Sequence, residues 1–244
     1  MELTDQEIFG RTERLLGAAG LERLRQTSVI VFGVGGVGSW CAESLIRSGV
    51  GRLTMVDPDT VQPSNINRQL MATTGTVGQP KAEVLRRRLL DISPRADIRA
   101  LCTAYAPGCA ADFRLGDYDY VVDAIDSLEA KAHLLCAATE AGARVFASMG
   151  AALKLDPQQV RVAEFWKVRG CPLAAALRRR YRKQHTGPAA KVRCVYSEEL
   201  QPNRGASDED PGPKACINGT VAHAVAVFGF TLAGLVVQDV LERA

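Results

Sequence analysis

Between residues 57 and 81 the chain holds more charged and amide groups than a plain connecting loop needs. Asp57 and Asp59 are followed by Ser64, Asn65, Asn67, Arg68 and Gln69 in the run SNINRQ, and Lys81 comes directly after VGQP. A guanidinium can neutralise phosphate oxygens, and amide side chains can fix those oxygens by hydrogen bonds. A lysine at a helix start opposes the helix dipole, so beside Arg68 a phosphate role accounts for Lys81 better than a solvated surface does. Further along, Asp126 and Ser127 follow an apolar run. Mg2+ takes one or two protein carboxylates plus phosphate oxygens and water. Asp126 suits that role, and it could equally cap the helix that follows. Together these residues describe a site for ATP with magnesium.

Such side chains need a scaffold that gathers them. In VFGVGGVGSW the glycines Gly33, Gly35, Gly36 and Gly38 lie between a strand-like and a helix-like segment. Glycines there let the backbone turn tightly and approach phosphate oxygens, and the helix N-terminus adds free N–H groups. Asp57, at the end of the next apolar run, is placed to bind ribose hydroxyls. A dinucleotide site would use the same loop, so the glycines alone do not separate NAD from ATP. Arg68 and Lys81 do, because a dehydrogenase has no need of them.

The remaining pattern supplies the frame. The N-terminal stretch reads as helix. Strands are expected at 28–33, 52–57, 98–102, 118–124 and 144–148, with helices at 36–48, 81–92 and 128–141. This alternation predicts an α/β, Rossmann-like, doubly wound, mainly parallel sheet. Asp123 and Asp126, at the carboxyl end of the fourth of these strands, should face the ligand crevice. After residue 151 the composition shifts. Residues 160–165 alternate like an edge or antiparallel strand, 172–183 read as a basic helix, and 200–213 as a surface loop. The expected division is an adenylation core at 1–150 and a C-terminal elaboration of the same domain at 151–244.

Composition excludes several classes. The 244 residues carry a net charge of +3, too mild to indicate nucleic acid without a local concentration. The seven cysteines are scattered without a CxxC pair, which argues against a disulfide framework or a four-cysteine zinc site. The N-terminus lacks the features of a signal peptide, and the expected location is the cytoplasm. Residues 220–237 form an uncharged run of 18, at the lower edge of a membrane span. A buried core helix is the better reading, with Gly229 and Gly234 permitting close packing and His223 a satisfied core residue. Membrane association is the minor alternative.

Taken in order, GxGGxG, D-x-D, SNxNRQ, VGQPK and DAIDS resemble the ubiquitin-activating-enzyme-like ATP-dependent adenylyltransferases, the superfamily of the ThiF, MoeB and HesA groups. The resemblance implies that Asp57, Asn67, Arg68, Lys81 and Asp126 attend ATP and magnesium. It also implies that Arg14 reaches into a partner subunit's site in a homodimer; from sequence alone Arg14 is a surface arginine. The implied reaction is attack of a carboxylate on the α-phosphate. That needs no general base, since a carboxylate is already ionised at neutral pH.

Which carboxylate is activated depends on the second part of the chain. Arg178, Arg179, Arg180, Arg182, Lys183, Lys191 and Arg193 occur with no acid between them, and Tyr181 lies among them as a possible stacking ring. Such a stripe attracts a phosphate backbone. The segments CPLAAALRRRYRK, VRCVYSEE and GPKACINGTVAHAVAVFGF resemble the subgroup of dehydratases that cyclise threonylcarbamoyladenosine in tRNA. That subgroup implies adenylation of the threonyl carboxylate, a tRNA rather than DNA partner, and an association with cysteine desulfurases. Cys171 stands where the subgroup has an acid. The alternative substrate is the C-terminal glycine of a ubiquitin-like sulfur carrier; the missing CxxC pairs weigh against it. A nucleotide-sensing module without catalysis is a further alternative. Cys194 and Cys216 read as structural, since dehydration needs no covalent acceptor.

Overall fold

Burial along the first strand shows how the sequence builds two cores from one sheet. In β1 (Ser28–Phe32) every residue is buried. Val29 and Val31 join one apolar cluster, while Ile30 and Phe32 join the other. Alternate side chains of a strand point to opposite faces, so a strand apolar throughout must be covered on both sides. The computed structural model describes residues 4–204 and 218–243.

The elements follow in the order α1 (Asp5–Gln26), β1, α2 (Gly38–Ser48), β2 (Arg52–Val56), α3 (Lys81–Ile92), β3 (Asp97–Leu101), β4 (Tyr120–Asp123), α4 (Leu128–Glu140), β5 (Arg144–Ser148), β6 (Val160–Glu164), α5 (Pro172–Gln184), β7 (Arg193–Ser197) and α6 (Ala222–Glu242). They form a seven-stranded sheet in the order β3-β2-β1-β4-β5-β7-β6. All pairs are parallel except β6 with β7. The fold is the Rossmann-like, mainly parallel sheet expected.

Register sets up the site. Phe32 pairs with Val56 on one side and with Asp123 on the other. The next residues, Gly33, Asp57 and Ala124, therefore leave the sheet at one level. Three hydrogen bonds hold that exit: Gly33 N to Val56 O (2.8 Å), Ala124 N to Phe32 O (2.8 Å) and Asp57 N to Leu101 O (3.1 Å).

In the C-terminal part the helix at 220–237 is the buried core helix expected, while one strand and one glycine differ from expectation. β7 was not foreseen as a strand, yet it lies between β5 and the edge strand β6. α6 packs along α2, and 61% of its most apolar window is buried. Among the described residues it is the one helix long and apolar enough to cross a membrane. Gly229 accounts for the close approach, since a Cβ there would lie 2.5 Å from Val37 O. Gly234 does not, because its surroundings are open.

Candidate active site

The glycine loop divides its labour. Gly33 has φ +81°, and a Cβ there would come 2.8 Å from Ala124 O; one on Gly38 would come 1.8 Å from Gly33 O. These two glycines serve the turn itself. A Cβ on Gly35 would meet only Gln69 Nε2, at 3.6 Å, and one on Gly36 would touch Val225 at 3.3 Å. The protein demands little at Gly35, and its missing side chain leaves room beside the loop. The helix that starts here has no side-chain cap on its first N–H groups, which is the arrangement that receives phosphate.

The SNINRQ turn is fastened to this helix. Trp40 Nε1 donates to Arg68 O (3.1 Å), and Leu70 N donates to Ser39 Oγ (3.3 Å). Arg68 is half-buried and donates to Ser64 O (2.7 Å) and Asn67 Oδ1 (3.0 Å) through one guanidinium nitrogen. Asn67 donates to Thr220 O (3.0 Å) and so ties the turn to the start of α6. Asn65 is buried, and its amide oxygen accepts from Gln62 N (3.0 Å), shaping the turn. Gln69 is buried too, and its Oε1 has no hydrogen-bond partner. An orphaned buried acceptor costs about 1–3 kcal/mol, so a donor group of a ligand fits beside it.

Asp57 is buried. It accepts from Val34 N at 2.8 Å and from Asp59 N at 2.9 Å. Burial raises its pKa, opposed by these two bonds and by the Lys81 charge. Lys81 is buried as well and donates to the exposed Asp59 carboxylate at 2.8 Å. The structure thus draws Asp57, Asp59 and Lys81 into one group.

Past β4 the two aspartates have separate surroundings. Asp126 is exposed and has no partner among the described residues. Ser127, not Asp126, is the cap of α4, its Oγ accepting from Ala130 N at 3.5 Å. No group of three or more His, Cys, Asp or Glu side chains able to hold a metal occurs among the described residues. A metal at Asp126 would therefore rely on few protein ligands, as Mg2+ beside phosphates does. Asp123 does not face the crevice as expected. It is fully buried, 2.7 Å from the Lys131 ammonium, and accepts from Ile125 N at 3.0 Å. Lys131 also donates to Ser148 O (3.0 Å). Sequence reasoning missed Lys131; its one signal is a lone lysine amid the apolar residues of LEAKAHLL.

The basic helix α5 packs on α4. Its buried face comprises Ala174, Leu177 and Tyr181. Tyr181 is 1% exposed and donates to Ala132 O at 2.8 Å, so it is a core residue and not a stacking ring. Arg178 donates to Phe165 O at 3.3 Å, and Arg180 lies 3.8 Å from Glu129. Arg179, Arg182 and Lys183 are exposed. Arg179, Arg180 and Lys183 line a depression of about 530 Å3 that reaches Leu128, next to Ser127. Arg14 is exposed on α1, in a separate depression with Glu7 and Arg11.

The other singled-out residues fall away from the chemistry. Cys194 is buried, and burial pushes its thiol pKa far up; such a thiol is inert. Cys216, with most of the loop at 200–213, lies outside the described residues. His223 is exposed rather than core, with Nε2 2.8 Å from Leu155 O; it sits on the solvent side of the first turn of α6.

Comparison with known proteins gives a consistent result. The model of the ThiF family matches residues 9–243. The chain is 41% identical to the tRNA threonylcarbamoyladenosine dehydratase of Bacillus subtilis over 78% of this chain and 74% of that protein. It is 34% identical to the enzyme of the same name from Haemophilus influenzae, over 98% and 95% of the two chains. Its structure is similar to that of E. coli tRNA N6-threonylcarbamoyladenosine dehydratase in complex with ATP, with TM-score 0.88 and 31% identity over 100% of this chain and 98% of that one.

Proposed function

Given that the chain belongs to the ThiF family, we propose that it is an ATP-dependent enzyme that cyclises N6-threonylcarbamoyladenosine in tRNA by adenylating the threonyl carboxylate. The observation that carries this reading is the full-length likeness to an ATP-bound dehydratase. It is supported by a crevice with buried Lys81, half-buried Arg68 and the bare Gly35 loop side by side.

Residues 1–150 supply the nucleotide half and 151–244 the acceptor half. The N–H groups of the Gly33–Gly38 loop, Arg68 and Lys81 hold the phosphates, and Asp57 takes the ribose hydroxyls. Gln69 Oε1 accepts a ligand donor. Mg2+ at Asp126 adds positive charge to the phosphate oxygens when bound. The ionised substrate carboxylate attacks the α-phosphorus, and pyrophosphate leaves. A nucleophilic atom of the same modified base then attacks the activated carbonyl. AMP leaves with the former carboxylate oxygen, so one water is lost overall. Catalysis rests on orientation and on cations at the phosphates. The exposed arginines and lysine of α5 position the RNA backbone. Two copies act as a homodimer in which Arg14 serves the neighbouring site, in the cytoplasm.

The test uses purified protein, MgATP and tRNA carrying threonylcarbamoyladenosine. The nucleoside is released under mild neutral conditions and weighed by mass spectrometry. Loss of one water only with ATP is expected. An unchanged nucleoside, with pyrophosphate released only when a sulfur-carrier protein is added, would move the substrate to that protein.

A further inference from the structure

The segment after β5 carries a lysine that the groups described so far leave unexplained. Lys154 is 5% exposed, yet its ammonium makes no hydrogen bond or ion pair with the protein among the described residues. Lysines so little exposed are ordinarily paired. Glu199, the acid whose charge acts on it, makes no ion pair with it and is engaged by its own segment. One of its oxygens accepts from Leu155 N and Asp156 N, each at 3.0 Å, and the other accepts from Gln201 Nε2 at 2.8 Å. Burial accordingly lowers the pKa of Lys154, against the weaker opposing pull of Cys171 and Glu199.

Backbone bonds tie the residue before this lysine to the turn that carries Asn67 and Arg68. Leu153 N donates to Gly219 O at 2.9 Å. The following residue, Thr220, accepts from Asn67 at 3.0 Å. Lys154 is therefore a short hydrogen-bonded path from Asn67 and Arg68. Leu153 itself is held at φ +59°, a left-handed conformation that a leucine adopts only under constraint. In the strand order β1-β4-β5-β7, this segment lies beyond the Asp126 loop, on the side away from Asp57.

We propose that Lys154 is the anion-binding residue of the acceptor half of the crevice and that its partner is the substrate's carboxylate. This rests on the dehydratase reading for the identity of the carboxylate. An RNA backbone phosphate is the other oxyanion available. It suits exposed cations such as Arg179 and Arg182, whereas a lysine only 5% exposed admits a small group projecting from the RNA.

The experiment compares Lys154→Met and Lys154→Arg with wild type. The probe is an anticodon stem-loop RNA bearing threonylcarbamoyladenosine, or the same RNA with its carboxylate as methyl ester. Loss of a charge-assisted contact should weaken binding of the carboxylate RNA to Lys154→Met by about tenfold or more. The methyl-ester RNA should bind both proteins alike, ATP affinity should stay unchanged, and Lys154→Arg should retain much of the carboxylate preference. Equal losses on both RNAs would assign the contact to a backbone phosphate and overturn the proposal, as would no loss. Absence of turnover by wild type would instead count against the dehydratase reading. The lysine is then decided separately in wild-type protein, by 13C-methylating its amines and adding N-carbamoyl-L-threonine. The Lys154 resonance, identified by its absence from Lys154→Met, should shift with that carboxylate and not with the corresponding amide. A resonance that ignores the carboxylate overturns the inference whatever the RNA result.

Discussion

Replacing Lys131 by methionine isolates one strut beneath the crevice. Lys131 and Asp123 are both fully buried, with the ammonium 2.7 Å from the carboxylate. At an effective dielectric of about 20, unit charges at that 2.7 Å separation attract by about 6 kcal/mol. Desolvating two ions costs several kcal/mol each, so the intact pair contributes little net stability. Removing one partner is different, because the other charge stays buried without compensation. The expected loss for Lys131→Met is about 3–5 kcal/mol, or about 6–20 °C in the unfolding midpoint for a chain of this size. Asp123→Asn/Lys131→Met removes both charges and keeps an acceptor for Ile125 N. It should recover most of the loss, so the coupling, the two single losses less that of the double variant, should be at least about 3 kcal/mol. Denaturant unfolding of wild type, both single variants and the double variant measures this cycle. A loss below about 1 kcal/mol for Lys131→Met, or a coupling near zero, would refute the reasoning that the pair is charged and sealed from water. Since Asp123 also fixes the N–H of Ile125, nucleotide affinity should fall in the single variants wherever the Asp126 loop shifts.

The glycine loop makes a paired prediction. Gly38→Ala should fold poorly, because its Cβ collides with Gly33 O, while Gly35→Ala should keep its unfolding midpoint and lose ATP binding; equal effects on both would remove the distinction. Arg68→Ala and Lys81→Ala should abolish pyrophosphate release while far-UV circular dichroism stays native, and wild-type turnover in either would sink their assigned roles. Reversing Arg179, Arg182 and Lys183 to glutamate should weaken tRNA binding far more than ATP binding. It should also reduce the slope of log affinity against log salt by about 2–3, and an unchanged slope would make the stripe a solvated face.

Much of the molecule was legible in the sequence because it is specified locally. The period of apolar residues and the Gly, Pro and Ser stops place α3 at 81–92 and β5 at 144–148 with their observed bounds. The loop glycines mark a strand-to-helix turn that few other residues could make. The cluster from Asp57 to Lys81 is visible because so much charge beside a glycine loop lacks a structural reason. Which of those residues hold the turn together and which stay available was not visible. Asn65 is occupied by Gln62, whereas Gln69 keeps an orphaned oxygen, and nothing in their common side-chain chemistry separates them.

The features read differently from the sequence all depend on contacts across long stretches of chain. Tyr181 is surrounded by arginines in sequence, but the three-to-four-residue spacing shared with Leu177 and Ala174 turns it into the core against α4. β7 hides within a basic segment, and only pairing with β5 and β6 makes it a strand. His223 sits in an apolar run yet falls on the outer side of its helix. Asp123 ends a strand as crevice residues do, and Lys131 reaches from the next helix to close it off. The sequence by itself determined most of the elements, the turn and the chemical type of the site, since these follow from neighbours a few residues apart. Only the tertiary structure decided which charges are paired and which, like Asp126 and Lys154, have no partner among the described residues, because burial and pairing are set by residues that meet only when the sheet closes.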